Sequence, residues 1–252
     1  MGTEHCKAIA YAGGKPVMVD NNEETLAARE IEFRDLSLPL STIALDLSAE
    51  DAPARLLEEL VARELTPTSL VNNVAANPPM SSGANRDYGP ASASLIFEQW
   101  NRDLSLTITV ASNLGMYFGE YFSRRGGGAI VNIASDLALI SPDQRIYQAP
   151  GGEPPFPTKP LSYSVGKSAI LGLTRYLATY WSPIPVRCNA LALGSIKDQQ
   201  DDVLIENLVN RIPLGRLARA SEYQGALVFL LSQASSYMTG SIVTIDGGRT
   251  TW

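Results

Sequence analysis

Three residues of the sequence have side chains that could move a proton together. Tyr163 and Lys167 stand four positions apart, so on a helix their side chains lie on one face. An ammonium beside a phenol favours the phenolate, which can exchange a proton with an alcohol or a carbonyl. The hydroxyl of Ser135 could hold the substrate oxygen through a hydrogen bond. The Tyr-x-x-x-Lys spacing also occurs by chance on helix surfaces, so the pair alone is weak evidence.

The elements that would position these residues follow the pattern of a parallel sheet covered by helices. Short β-branched apolar runs alternate with longer helical stretches. The runs predict strands at residues 16–20, 42–45, 69–74, 129–134, 185–191 and 241–245. Ser135 then follows a strand and Tyr163 opens a helix. A long helix is predicted over residues 94–124, and Ser48 and Ser221 are predicted to cap two others.

Two segments rich in proline and glycine, residues 77–90 and 141–160, interrupt this alternation and are predicted to be long loops. Both follow the C-terminal end of a predicted strand, where open α/β sheets bind their ligands. A lid over a substrate and a tolerated surface insertion are equally open interpretations.

Composition favours one domain and excludes several classes of partner. The chain has 252 residues, 45% of them hydrophobic, which is enough for a full core in residues 1–252. A formal net charge of −6 argues against nucleic acid, and the absence of a long apolar run argues against a membrane span. Cys6 and Cys188 are too isolated for a disulfide framework or a metal site, as expected in the cytoplasm. The single histidine, His5, is interpreted as an exposed helix residue.

Motifs along nearly the whole chain resemble the short-chain dehydrogenase/reductase family. They are Asp46-Leu47, Asn72-Asn73-Val74-Ala75, Val131-Asn132-Ile133-Ala134-Ser135, Tyr163 with Lys167, Val186-Arg187-Cys188-Asn189 and Asp246-Gly247-Gly248. The resemblance implies a Rossmann-like, doubly wound α/β fold and hydride transfer between a nicotinamide cofactor and an alcohol or carbonyl. It also implies that Ser135, Tyr163 and Lys167 are catalytic, that the lysine holds the nicotinamide ribose, and that the protein is a homodimer or homotetramer.

A carboxylate at the end of one predicted strand bears on the choice of cofactor. Asp20 could accept hydrogen bonds from a ribose diol and repel an added 2′-phosphate, which predicts NAD in preference to NADP. A cap on the helix beginning near Asn22 explains the same residue equally well. By resemblance, further cofactor contacts fall on Asp46 and Leu47 at the adenine, Asn73 and Val74 at the adjoining ribose, and Gly194 and Ile196 at the nicotinamide amide.

The sequence departs from the family pattern in three places. Residues 4–10 already resemble the helix that follows the family's first strand and Gly-rich loop, so we expect both to be missing, as in an N-terminally truncated chain. Thr107 stands where the family usually has an asparagine, and residues 192–195 lack the usual Ser-Pro-Gly-Gly turn. These departures motivate an alternative, a non-catalytic homologue with impaired dinucleotide binding that acts as a binding or assembly subunit. The long insertion before Tyr163, residues 175–178 and residues 248–252 resemble a bacterial branch linked to surface-polysaccharide and flagellar sugar biosynthesis. This resemblance suggests a sugar or nucleotide sugar as substrate.

Overall fold

The computed structural model describes residues 1–77, 93–147, 158–198 and 200–252, with side chains in the second range from residue 97. Most of the two predicted loops, residues 78–90 and 148–157, lies outside the described residues. The helices are α1 (Gly2–Tyr11), α2 (Glu23–Asp35), α3 (Ala52–Ala62), α4 (Ala93–Leu104), α5 (Val110–Ser123), α6 (Leu161–Tyr180), α7 (Asp202–Val209) and α8 (Gln224–Leu231). The strands are β1 (Val17–Asp20), β2 (Ser41–Ala44), β3 (Ser69–Asn72), β4 (Gly128–Ser135), β5 (Val186–Leu193) and β6 (Ile242–Ile245).

All strand pairings among the described residues are parallel, and the six predicted strands are confirmed with small changes of boundary. β1 pairs with β2, with Val17 opposite Ser41, and β3, β4, β5 and β6 form a second sheet in that order. In the second sheet Val131 of β4 lies opposite Val71 of β3 and Asn189 of β5. Because β3, β4, β5 and β6 all run the same way, their C-terminal ends share one edge of the second sheet, and Ser135 lies at that edge.

Helices cover both faces of the strand layer, as predicted for a doubly wound sheet. On one face α3, α5 and α6 bury Leu56, Leu114 and Leu177 in one apolar cluster. On the other face α1 and α8 pack Ala8 and Leu227 against the four-stranded sheet. Burial of these apolar side chains is the main favourable term that holds the layers together.

The strand layer is interrupted between β1 and β3, which do not pair with each other. A cavity of about 550 Å³ separates them, lined by Val17 and Val19 on one side and Val71 on the other. His5 of α1 and Leu114 of α5 line it from the two helical layers. Within the described residues no strand crosses this gap. The expectation that a first strand and a Gly-rich loop are missing stays a prediction.

The predicted helix over residues 94–124 is observed as two α-helices joined by one π-helical turn, Ser105–Thr109. Such single turns inside α-helices are rare and often occur at functional sites. The apolar periodicity that predicted the helix does not reveal the turn. It contains Thr107, whose side chain is 1% exposed.

Both predicted caps are wrong. Asp51 occupies the N-cap position of α3, while the hydroxyl of Ser48 donates a hydrogen bond to Asp46 Oδ1 over 2.7 Å. Ser221 lies inside a short 3₁₀ turn, Ala220–Tyr223, which precedes α8. The N-cap of that turn is Arg219, whose backbone N–H donates to the carboxylate of Glu222. Serine three residues before an acidic or amide side chain is a common local pattern, and here neither serine lies at an N-cap position.

His5 lies on a helix as predicted, but the prediction that it is exposed is wrong. Its side chain is 3% exposed, and neither ring nitrogen has a hydrogen-bond partner among the described residues. Burial is the main cause that lowers its pKa to about 4, so the ring is neutral near pH 7. The other buried residues of α1 are Cys6, Ala8 and Ala10, and His5 is packed inward together with them.

Replacing either of two glycines in neighbouring helices by alanine should change the free energy of unfolding in opposite directions. A Cβ on Gly119 of α5 would lie 2.0 Å from Cη2 of Trp181, so Gly119→Ala should lower the free energy of unfolding by about 1–3 kcal/mol. A Cβ on Gly172 of α6 meets nothing within 4 Å, so Gly172→Ala should raise it by about 0.5–1 kcal/mol. Urea denaturation of both variants measures the difference. Equal stability of the two variants would contradict this packing.

Candidate active site

Strand β4 and helix α6 bring the predicted reactive residues together. Ser135 is the last residue of β4 and is buried, and Tyr163 and Lys167 lie one turn apart at the start of α6. The Nζ atom of Lys167 is 6.0 Å from the centroid of the Tyr163 ring. Lys167 also donates a hydrogen bond over 2.7 Å to the carbonyl oxygen of Ile133, two residues before Ser135. This bond ties α6 to the strand that carries the serine.

The hydroxyl of Ser135 is engaged by its own neighbours. Its Oγ donates to Asp136 Oδ1 over 2.9 Å and accepts from the backbone N–H of Leu137 over 3.2 Å. Burial raises the pKa of Tyr163, and a hydrogen bond with Ser135 partly offsets that rise. The serine hydroxyl is thus held by Asp136 and Leu137, and a substrate oxygen can bind it only if the hydroxyl turns from Asp136.

Two buried or partly buried ammonium groups lie near the tyrosine. Besides Lys167, the Nζ atom of Lys159 lies 3.9 Å from the centroid of the Tyr163 ring. Burial is the main cause that lowers the pKa of each lysine to about 8, and in Lys167 repulsion from Lys159 contributes to the shift. Two adjacent cations make this region favourable for negative charge, whether on a phenolate or on a ligand.

A buried ion pair supports the serine from behind. Asp136 Oδ2 accepts a hydrogen bond over 2.7 Å from Arg249 Nη1, and the two side chains are 3% and 4% exposed. The other oxygen of Asp136 accepts from Ser135 and from the backbone of Leu137. Arg249 thus connects the C-terminal 3₁₀ turn, Arg249–Thr251, to the end of β4.

Thr107 joins the π-helical turn to the segment after β3. Its Oγ1 accepts a hydrogen bond over 3.2 Å from the backbone N–H of Ala76. Its methyl group lies against Gly166 of α6, where a Cβ would come within 3.0 Å of Thr107 Cγ2. Because Gly166 lies between Tyr163 and Lys167 in the sequence, Thr107 packs directly behind the two proposed catalytic residues.

Four of the residues predicted to bind the cofactor line one cavity, the one between β1 and β3. They are Asp20, Leu47, Asn73 and Val74. Asp20 is exposed, and its Oδ1 accepts a hydrogen bond from the backbone N–H of Asn22. Asn22, not Asp20, is the N-cap of α2, with its side chain accepting from Thr25 N–H. The carboxylate of Asp20 therefore retains acceptor capacity at the cavity edge.

The remaining predicted cofactor residues lie outside that cavity. Asp46 is exposed and binds the backbone and hydroxyl of Ser48, and these hydrogen bonds lower its pKa. Gly194 follows β5, where its carbonyl accepts a hydrogen bond from the Tyr223 hydroxyl over 3.0 Å. A Cβ on Gly194 would lie 2.8 Å from Asp246 Cα, so this close approach requires glycine. Ile196 forms an isolated parallel bridge with Ala218.

The family described as enoyl-(acyl carrier protein) reductase matches residues 1–250, which is nearly the whole chain. The chain belongs to the short-chain dehydrogenase/reductase family. Members of this family bind NAD(P), and this chain is therefore an oxidoreductase of that class.

Alignments with similar proteins of known name or structure cover almost all of this chain. It is 29% identical over 260 residues to the galactitol 2-dehydrogenase (L-tagatose-forming) of Cereibacter sphaeroides, covering 100% of this chain and 91% of that protein. A gluconate 5-dehydrogenase from Burkholderia cenocepacia J2315, in complex with NADP and tartrate, superposes with a TM-score of 0.79 at 24% identity, covering 99% and 90%. A short chain dehydrogenase from Leptospira borgpetersenii with bound NAD+ gives a TM-score of 0.78 at 24% identity, covering 99% and 88%. The last two likenesses concern the fold.

Sequence reasoning missed three polar side chains of this dehydrogenase/reductase site: Asp136, Lys159 and Arg249. Asp136 directly follows Ser135, and Lys159 stands four residues before Tyr163, so spacing alone could have drawn attention to both. Arg249 is distant in sequence, and its contact with Asp136 depends on the tertiary fold. Within the described residues no group of three or more His, Cys, Asp or Glu side chains is arranged to bind a metal. In the same part of the chain no helix has the length and apolarity needed to span a membrane.

The buried pair of Asp136 and Arg249 should be sensitive to removal of one partner. Arg249→Met leaves a carboxylate buried without its cation, and we expect the free energy of unfolding to fall by about 3–5 kcal/mol. The double variant Arg249→Met with Asp136→Asn removes the uncompensated charge and should recover part of that loss. Chemical denaturation of the two variants tests this. A double variant no more stable than Arg249→Met would show that the uncompensated charge is not the cause.

Proposed function

We propose that this protein interconverts an alcohol and a carbonyl on a sugar acid or a polyol, using NAD. The observation that carries the proposal is the convergence of the Ser135 hydroxyl, the Tyr163 phenol and the Lys167 ammonium at the carboxyl edge of the sheet. Those groups can bind an oxygen atom and exchange a proton with it, which is what the reaction requires of the protein.

Residues at this edge fit a dinucleotide. The N-terminus of α1, with unpaired backbone N–H groups suited to a phosphate, lies beside Asn73, since a Cβ on Gly2 would be 3.6 Å from Asn73 Nδ2. The ring of His5, unpartnered among the described residues, also faces the cavity. In the proposed site the remaining contacts are Asp46 and Leu47 with the adenine, Asn73 and Val74 with the adjoining ribose, Tyr163 and Lys167 with the nicotinamide ribose, and Gly194 and Ile196 with the nicotinamide amide.

The nicotinamide cofactor, when bound, supplies or takes up the hydride. In reduction Tyr163 donates its proton to the carbonyl oxygen, and in oxidation it accepts the alcohol proton. Because burial raises the pKa of Tyr163, the phenolate form needs nearby positive charge, and Lys167 provides it. Ser135 turns its hydroxyl from Asp136 to the substrate oxygen and stabilises the charge that develops there.

Asp20 supports NAD in preference to NADP. Its carboxylate lies at the end of β1 beside the cavity, and it is exposed, so it can accept hydrogen bonds from a ribose diol. A 2′-phosphate in the same position would meet like charge.

The proposed substrate class follows the named relative, which acts on the polyol galactitol, and the similar structure of a gluconate 5-dehydrogenase. The resemblance to a branch of surface-polysaccharide and flagellar sugar biosynthesis stays a prediction. So does the non-catalytic alternative, a homologue with impaired dinucleotide binding, which a folded protein that neither binds NAD(H) nor turns over a substrate would favour.

We further propose that residues 1–252 form one domain that assembles into a homodimer or homotetramer through its long helices. The exposed aromatic side chains Tyr117 on α5, and Tyr176 and Tyr180 on α6, support this proposal, since such residues are enriched at interfaces. The free, buried thiols of Cys6 and Cys188 suit a reducing compartment such as the cytoplasm.

Removing the phenol should separate chemistry from cofactor binding. We expect Tyr163→Phe to lower kcat by about 10²–10⁴-fold, because the proton donor and acceptor is lost while the ring is kept. The affinity for NADH, followed by fluorescence titration, should stay within about twofold of the parent value. Phe122→Tyr is unsuitable as a control because Phe122 is buried. Tyr237 is exposed, and Tyr237→Phe is therefore the matched control, which should be fully active. Full activity of Tyr163→Phe would remove the phenol from the mechanism.

Replacing the carboxylate at the end of β1 should change the choice of cofactor. The parent protein should bind NADH more tightly than NADPH, and Asp20→Ser should reduce that ratio by about tenfold or more, because repulsion of the 2′-phosphate is removed. Asp35→Ser, at the C-terminal end of α2, removes an equal charge elsewhere and should leave the ratio unchanged. An unchanged ratio in Asp20→Ser would mean that Asp20 does not select the cofactor.

A further inference from the structure

Lys159 is held close to the reacting groups although no part of the proposed proton transfer uses it. Its Nζ atom lies 3.9 Å from the centroid of the Tyr163 ring and donates a hydrogen bond over 2.6 Å to Asn77 Oδ1. Asn77 belongs to the segment after β3, so the lysine spans the space between that segment and α6. This space is next to the Tyr163 ring, where a substrate must lie for its oxygen to reach the phenol.

The backbone of Lys159 is fixed as well as its side chain. The backbone N–H of Lys159 donates to Gln144 Oε1 over 2.9 Å, and Gln144 belongs to the short 3₁₀ helix Gln144–Tyr147. A side chain with four rotatable bonds that is anchored at both ends loses less entropy when it binds a further group. The arrangement is therefore that of a preorganised binding group.

Positive charge exceeds negative charge around Tyr163. Among the described residues Lys159 takes part in no ion pair, and neither does Lys167. Asp136 is the carboxylate that acts electrostatically on Lys159, and it is already paired with Arg249 over 2.7 Å. Burial lowers the pKa of Lys159 only to about 8, so most of the population carries the charge at pH 7. A partly buried ammonium without a counterion is costly, and an anionic ligand relieves that cost.

The donor capacity of the ammonium is also incompletely used. A lysine ammonium has three N–H donors, and Asn77 accepts one of them. A carboxylate has two oxygens that can accept the others in short, charge-assisted bonds. A hydroxyl group in the same position would accept one hydrogen bond as a neutral group and would leave the charge of the ammonium uncompensated.

We propose that Lys159 binds a carboxylate of the substrate, which makes the substrate a sugar acid and not a neutral polyol. The inference rests on the proposed function and narrows it. Lys159 is in this sense a residue that determines specificity, while Tyr163 and Lys167 serve any substrate with a suitably placed hydroxyl.

The test compares D-gluconate with D-glucitol, six-carbon substrates that differ in a terminal carboxylate or alcohol, in the presence of saturating cofactor. The parent protein should have the higher kcat/KM for gluconate. Lys159→Met should raise KM for gluconate by about 10- to 100-fold, because a charge-assisted hydrogen bond is lost, and should change kcat/KM for glucitol by less than about threefold. Lys159→Arg keeps the charge and should recover much of the gluconate activity. Arg34→Met, at an exposed arginine in the last turn of α2, controls for net charge.

Loss of activity by the same factor on both substrates would overturn the proposal, because it would make Lys159 a residue that acts only through Tyr163. A parent preference for glucitol would overturn it too. Calorimetric titration of gluconate into the cofactor complex reads the same contact without turnover, and binding that is absent or independent of Lys159 also counts against it. Failure of the proposed function is recognised separately, by the absence of NAD(H) binding or of any Tyr163-dependent turnover.

Discussion

The buried ammonium of Lys167 is the constraint around which the site is organised. The Lys167 residue is 5% exposed, and its ammonium donates a hydrogen bond over 2.7 Å to a backbone carbonyl. Desolvation is the largest cause that lowers the pKa of Lys167 to about 8. A cation in such surroundings is stabilised by any negative charge that forms nearby. In the proposed mechanism a phenolate at Tyr163 is that charge.

Several contacts then fix the distance between the two groups. Thr107 packs on Gly166, between the tyrosine and the lysine, from a helix whose π turn turns the threonine toward α6. A chain of buried amides and hydroxyls, from Asn72 of β3 through Asn132 of β4 to Thr174 of α6, joins the same elements one layer deeper. Each donor and acceptor in that chain has few alternatives in a dry interior, so it specifies one relative arrangement of strand and helix.

The sequence was most informative where a pattern depends on one element. β-branched runs predicted the six strands because a strand buried on both faces must be apolar along its length. The spacing of four residues predicted that Tyr163 and Lys167 share a face, because it depends on the geometry of one helix alone. Prediction failed where partners come from elsewhere in the chain. The hydroxyl of Ser48 binds Asp46 instead of capping α3, and Arg219 with Glu222 precedes Ser221. His5 is buried in a helix that contacts α8 and β1. The contact of Arg249 with Asp136 joins residues 113 positions apart, and no local pattern encodes it.

The interrupted strand layer has a mechanical consequence for the molecule. Backbone hydrogen bonds resist stretching along a sheet, but none joins β1 to β3, so the spacing between the two sheets is determined by the side chains of α1 and α5 that line the gap. Side-chain packing yields more readily than a hydrogen-bonded ladder, since rotamers can adjust. The width of the crevice is thus an adjustable quantity, and substitutions at Ile9 or Val110, which line it, would alter how far apart its two walls stand.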